Sequence, residues 1–210
     1  MDSAVFALFT RYPALAACRP DLERCRDWLI ETFAGGHTLL LCGNGGSAAD
    51  CEHIAGELQK GFLAARRPAA TWRQQLVADH GDAGTYLAAR LQEGLPAIAL
   101  TGHPALQTAV SNDLGADLGF AQQVLAMGRA GDLLLGLSTS GNAANVAHAV
   151  RVARVRGLRT VGLTGQSGGQ LASLCDLTIR VPASETAVVQ ELHLPVYHWL
   201  CASVEKYFHA

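Results

Sequence analysis

Charge is scarce in this chain, and neither sign dominates. Only 16% of the 210 residues are charged, and 16 basic residues stand against 18 acidic ones, for a formal net charge of −2. That balance lacks the broad basic face a polyanion needs, so nucleic acid is excluded as an expected partner and any anion site must be local. No C-x-x-C pair occurs. The cysteines, Cys18, Cys25, Cys42, Cys51, Cys175 and Cys201, are scattered, mostly in apolar surroundings. This suits the reduced, buried thiols of a cytoplasmic protein. No apolar stretch reaches the ~18 residues of a membrane span, and the N-terminus has no signal-peptide pattern. The expectation is a soluble cytoplasmic protein without a membrane partner.

What remains is apolar and regularly punctuated. Half of the residues are hydrophobic, enough for one globular α/β domain with a full core. Residues 2–33 read as helical, interrupted by Pro13 and Pro20, with Asp21 as the expected cap of the second helix. Strands are then expected at 38–42, 96–101, 132–138, 159–164 and 176–181. Helices are expected at 47–60, within 103–127, at 143–156, near 169–173 and at 185–208. Continuous apolar strands such as Ala97-Ile98-Ala99-Leu100 indicate a parallel sheet covered on both faces. The reading is a doubly wound three-layer sandwich with a mainly parallel five-stranded sheet and a helical N-terminus. The segment 61–94, which includes Arg66-Arg67-Pro68 and a helical-looking stretch from Asp82 to Gln92, is expected to be an insertion in a single domain. It is either an extra surface helix or a pocket lid.

Two loops stand out. Gly43-Asn44-Gly45-Gly46-Ser47 follows Leu39-Leu40-Leu41, and Ser138-Thr139-Ser140-Gly141-Asn142 follows Leu133-Leu134-Leu135-Gly136-Leu137. Each reads as buried strand, small-residue turn, helix. Bare N–H groups at a helix N-terminus attract anions, and clustered hydroxyls add donors for phosphate oxygens. In parallel sheets ligands bind beyond the carboxyl ends of the strands, the edge from which both loops leave.

Acid–base candidates lie on the helices. His53 and Glu57 are four apart and share a helix face, which suits a metal or a tuned general base as well as a solvated pair. The last helix carries Gln190, Glu191, His193 and His198 in an otherwise apolar run. Polar groups on so apolar a helix need partners, supplied by a site or by a hydrogen-bonded core. Gln190 and His198 are eight apart, ~12 Å along the axis and ~80° around it, so both reach one ion more easily from two subunits.

The chain resembles the sugar-isomerase (SIS) domain family and, within it, the phosphoheptose isomerases. The matching segments are C-G-N-G-G-S-A-A-D at 42–50, H-x-x-x-E at 53–57, S-N-D at 111–113, G-D-L-L-L-G-L-S-T-S-G-N-A-A-N-V at 131–146, L-T-G-Q-S-G-G at 163–169 and V-Q-E-L-H-L-P-V-Y-H at 189–198. The resemblance implies that sedoheptulose 7-phosphate is converted to a heptose 7-phosphate. It implies that Asn44, Gly45, Gly46, Ser47, Asn112, Asp113 and Gln190 line the substrate and that Ser138, Thr139 and Ser140 hold its phosphate. Glu57, also at the substrate, and His198 would be the catalytic pair. Zinc would sit on His53, Glu57, Gln190 and His198, in a homotetramer whose sites lie at subunit interfaces.

The chain departs from the family pattern in three places. Ala143 stands where a further serine is usual, Val188 and Val189 replace the segment with the usual arginine, and the 61–94 connection is long. Two other function classes therefore stay open: an isomerase for a different sugar phosphate, and a non-catalytic phosphosugar-binding regulator of the type that associates with the replication initiator. Retention of Glu57 and His198 favours the enzyme. A carboxylate bound to zinc is a poorer base, so either Glu57 leaves the metal during turnover or the metal is structural or inhibitory.

Overall fold

Leu39, Leu40, Leu41 and Cys42 alternate between two cores, and that alternation organises the protein. In the computed structural model, which describes residues 7–209, five strands form one sheet: β1 (Leu39–Gly43), β2 (Ala97–Ala99), β3 (Leu133–Ser138), β4 (Arg159–Thr164) and β5 (Leu177–Arg180). All neighbours are parallel, in the order β2-β1-β3-β4-β5. Side chains of a strand point alternately to its two faces. Leu39, Leu41, Leu133, Leu135, Leu137, Val161 and Leu163 therefore enter one core. Leu40, Cys42 and Leu134 enter the other. Burial on both faces is why these strands read as continuous apolar runs.

The first core is covered by α2 (Arg19–Ala34), α3 (Gly46–Gln59) and α9 (Thr186–His209). The second is covered by α6 (Gly119–Met127), α7 (Ala144–Val155) and the short α8 (Leu171–Leu174). Gly136 faces α7, and a Cβ there would stand 2.8 Å from Val146 Cγ1, so glycine lets the helix settle onto the strand. The chain runs from β1 outward to β2, then returns past β1 to β3. The order reverses between β1 and β3, and the loops leaving these two strands flank the crevice where doubly wound sheets bind ligands.

Several expectations need correction. The N-terminal region comprises α1 (Leu8–Arg11), a 3₁₀ turn (Pro13–Cys18) and α2; positions 2–6 of the expected helix lie outside the described residues. Asp21 does not cap α2. The helix starts at Arg19 with Cys18 at the cap position, because Pro20 fits the first turn of a helix, and Asp21 lies inside that turn. The 103–127 stretch holds helices as expected, α5 (Pro104–Asp113) and α6. The insertion holds one long helix, α4 (Ala70–Arg90), broken at Gly81, whose φ of 53° is non-helical. Gly84 sits where a side chain would strike the Leu76 backbone, so the two arms fold back on each other. The final helix is less open than its apolar sequence suggests. Val196, Trp199 and Leu200 are buried within the chain and Leu192 is partly buried, leaving Val188 and Leu194 among its exposed large apolar residues. All six cysteines are free thiols, and all but Cys175 are buried.

Candidate active site

Both glycine- and hydroxyl-rich turns end in helices whose N-termini no side chain caps from the cap position. At α3 that position is Gly45, with a φ of 56° that other residues adopt only under strain. At α7 it is Ala143. Neither first turn carries an acidic residue, so nothing there opposes an anion. Asn44 and Asn145 tie the two turns together by a reciprocal amide pair: Asn44 Nδ2 donates to Asn145 Oδ1 at 2.9 Å, and Asn145 Nδ2 donates to Asn44 Oδ1 at 2.8 Å. Asn145 also accepts the Val146 N–H at 3.0 Å. Ser138 is buried at the end of β3, Thr139 is half-buried and Ser140 is exposed. Asn142 N–H donates to Ser140 Oγ at 3.2 Å, fixing that hydroxyl.

A cleft of about 420 Å³ opens beside the first loop, lined by Asn44, Gly45, Thr101, Gln107, Ser111 and Asn145 among others. Ser47 is buried beneath the loop. Asn112 and Asp113 lie at the exposed end of α5, where Asn112 Nδ2 donates to Asp113 Oδ1 at 2.8 Å, and they are not among the residues lining this cleft.

The expected acid–base residues meet further along α3. His53 Nε2 lies 3.2 Å from Glu57 Oε1 and 3.5 Å from His198 Nε2. The two imidazoles cross at 81° with centroids 5.0 Å apart, and Phe62 covers His198 at 5.5 Å. Burial, and secondarily the neighbouring His53, lower the His198 pKa below the ordinary imidazole value, while Glu57 pulls the other way. These effects favour the neutral imidazole, the form able to accept a proton.

Gln190 is not with them. It sits at the start of α3, where any side chain on Gly46 would collide with its amide. Four donors tetrahedral about zinc stand roughly 3.3 Å from one another, given zinc–nitrogen bonds of about 2.0–2.1 Å. The 3.2 and 3.5 Å separations fit two edges of such a shell. The three side chains form a row centred on His53, and among the described residues no three acidic, imidazole or thiol groups enclose a single ion position.

Three supports of this cluster were not singled out from sequence. Tyr197 is buried, with its hydroxyl donating to Asp50 Oδ1 at 3.2 Å and meeting His53 Nδ1 at 3.0 Å. Burial raises the Asp50 pKa against the opposing effects of Tyr197 and His53, and burial together with Asp50 raises that of Tyr197. Asp50 stands three residues before His53 on the same helix face, a spacing that sequence could have flagged. Tyr197 gave no such signal. The third support is Arg66, buried at the end of α3, where its guanidinium bonds the carbonyls of Leu58 at 2.5 Å and Glu57 at 3.0 Å.

The SIS domain family is matched over residues 97–198. The phosphoheptose isomerase of Rhodospirillum rubrum is 40% identical over 191 residues, spanning 91% of this chain and 88% of that protein. That of Roseiflexus sp. is 45% identical over 187 residues, covering 89% and 82% respectively. Among solved structures, a phosphoheptose isomerase from Francisella tularensis superposes with a TM-score of 0.77 at 30% identity, covering 93% of this chain and 91% of that one. The Neisseria gonorrhoeae phosphoheptose isomerase gives 0.69 at 34%, covering 88% and 86%.

Proposed function

The chain belongs to the phosphoheptose isomerase family of SIS-domain proteins, and on that premise we propose that it interconverts sedoheptulose 7-phosphate and a heptose 7-phosphate in the cytoplasm. The observation that carries the reading is the row Glu57–His53–His198, in a chain that also presents two helix N-termini with no acidic residue in the first turn.

Chemically, the ketose must lose a proton from C1, next to the C2 carbonyl, to give an enediol. The proton then returns to C2 while another passes from O1 to O2. The Glu57 carboxylate moves the carbon-bound proton, and the neutral His198 imidazole serves the two oxygens. Ser138, Thr139 and Ser140 donate hydroxyl and backbone hydrogen bonds to the phosphate at the start of α7. Asn44, Gly45, Gly46, Ser47, Asn112 and Asp113 belong to the sugar-binding side of the same crevice. The donor set for a divalent ion, zinc by its imidazoles and oxygens, would be His53, Glu57 and His198 with Gln190; these do not enclose one ion position within a chain, so such an ion would draw its donors from two subunits. When bound, it supplies Lewis-acid polarisation of the carbonyl.

The site is shared between subunits of a homotetramer. Glu57 is eleven residues beyond Gly46, so roughly 16 Å of helix separates the sugar-binding loop at the start of α3 from the base. Gln190 lies at the former end and His198 at the latter. A neighbouring copy that sets its own loops against Glu57 removes both separations.

The deciding experiment is turnover of five- to seven-carbon ketose phosphates by the wild type, by Glu57→Gln and by His198→Gln. The seven-carbon substrate should turn over, and each variant should lose on the order of 10²–10⁴-fold. Mixing Glu57→Gln subunits with subunits carrying Ser140→Asp in the phosphate loop should restore part of the activity, because a mixed site takes its loop from one subunit and the Glu57–His198 pair from the other. No turnover of any sugar, with retained phosphosugar binding, would instead mark a binding protein, and a fully active monomer would overturn the shared site.

A further inference from the structure

The Val146 N–H fixes the orientation of two side chains in turn. It donates to Asn145 Oδ1 at 3.0 Å, and a carboxamide nitrogen has no lone pair to accept such a bond. The atom facing it is therefore the oxygen, and turning the Asn145 amide over would set a backbone donor against an NH₂ group. With Asn145 held, its Nδ2 donates to Asn44 Oδ1 at 2.8 Å and its Oδ1 accepts from Asn44 Nδ2 at 2.9 Å. Turning the Asn44 amide over would set nitrogen against nitrogen and oxygen against oxygen. One backbone hydrogen at the start of α7 thus determines which atoms Asn44 presents, 101 residues earlier in the chain than Asn145.

The pair leaves a defined remainder. Both lone pairs of Asn145 Oδ1 are used, each amide keeps one N–H, and Asn44 Oδ1 keeps one lone pair. Both side chains line the cleft that Thr101, Gln107 and Ser111 also line. Uncharged donors beside an acceptor match the hydroxyls of a sugar chain, each of which gives and accepts a hydrogen bond, better than they match a phosphate dianion. Asn44 is exposed and is followed by Gly45, at a φ of 56°, and Gly46, so the orientation of its amide depends on this partner. We infer that Asn145 is a positioning residue of the sugar-binding side of the crevice. It holds the Asn44 amide in the orientation that offers N–H and C=O to the substrate hydroxyls, and it clasps the turn after β1 to the start of α7. This role rests on the isomerase reading above and adds a residue to it.

A double-substitution cycle, read by steady-state kinetics on sedoheptulose 7-phosphate, tests the role. Asn145→Ala removes both bonds to Asn44, so KM should rise about 5–30-fold, the worth of one to two net hydrogen bonds, with kcat changed less than about 2-fold. Asn44→Ala should raise KM at least as much. Adding Asn145→Ala to it should cost less than a further factor of about 2, because the partner is already gone. Competitive inhibition by inorganic phosphate should be alike in all four proteins, since the 138–140 turn holds the phosphate. Asn145→Ser, too short to reach Asn44 and compatible with the start of a helix, repeats the cycle if Asn145→Ala melts early. Fully additive effects, a loss confined to kcat, or phosphate inhibition weakened as much as KM is raised would each overturn the role of Asn145. A wild type that turns over no ketose phosphate overturns the isomerase reading instead, and the same cycle is then read from equilibrium binding of the sugar phosphate. No binding by the wild type overturns both.

Discussion

Arg66 and Glu205 meet inside the protein although 139 residues separate them, with Arg66 Nε donating to Glu205 Oε1 at 2.8 Å. Glu205 also accepts the backbone N–H groups of Phe62, Leu63 and Ala64 at 2.8, 2.7 and 3.2 Å. Burial would raise the Glu205 carboxyl, but these N–H groups and the guanidinium hold its pKa below the ordinary carboxylate value. The remaining Arg66 nitrogens lie on the last carbonyls of α3, including that of Glu57. The pair thus ties the end of the helix bearing the base to the helix bearing His198, and it shapes the turn that places Phe62 over His198.

Breaking this pair should be costly. Arg66→Met leaves the Glu205 carboxylate buried without its cation, a loss of about 3–5 kcal/mol in the unfolding free energy. Urea denaturation checks it. Activity measured well below the new melting point should also fall, mainly in kcat, because the backbone of Glu57 loses a support. A change below about 1 kcal/mol would show that the backbone N–H groups of 62–64 suffice for Glu205.

The phosphate loop is testable by charge. Ser140→Asp sets a carboxylate at an exposed position of the turn without touching the core. Like charge against a phosphate dianion should raise KM at least tenfold, an effect of about 1.4 kcal/mol. The fold should be unaffected. An unchanged KM would place the anion elsewhere.

Metal content can be read directly. Protein purified without chelators should carry zinc, and His53→Ala should carry much less. Chelation of the wild type should lower its melting temperature, because an ion that binds only the folded state stabilises it. A metal-free wild type would leave the acid–base roles of Glu57 and His198 standing without the ion.

A pH effect should come from His193. This ring is fully buried on α9, and burial lowers its pKa from 6.5 to about 4 against the opposing effect of the Thr164 backbone. The unfolded chain takes up the proton first as pH falls. Stability is therefore intact above about pH 6.5 and is lost progressively from there toward pH 4, by up to about 3 kcal/mol at 1.36 kcal/mol per pKa unit. His193→Leu should flatten that part of the stability–pH curve relative to the wild type. Parallel curves for the two proteins would contradict the assignment.

The strands were legible because burial on both faces leaves uninterrupted apolar runs, and the two turns because small residues follow those runs directly. The first arm of α4, Ala70 to His80, was not legible. Gly84 is the buried residue of α4, so there is no apolar stripe for periodicity to reveal. The misplaced cap at Asp21 came from treating Pro20 as an interruption when it fits the helix's first turn. At the site, His53 and Glu57 could be paired from their spacing alone. Their supports could not be. Arg66 with Glu205, and Tyr197 with Asp50, are long-range partners that only the fold brings together, and a buried ion pair leaves no periodic trace in sequence.

The thiols make the protein chemically quiet. Burial raises the pKa of all six above the usual thiol value, to about 12 for Cys25 and Cys175, so the thiolate that alkylating reagents attack is nearly absent at neutral pH. A single cysteine introduced beside the bend at Gly81 would react alone. A fluorophore attached there would report whether the α4 arm moves during turnover, without removal of any native cysteine.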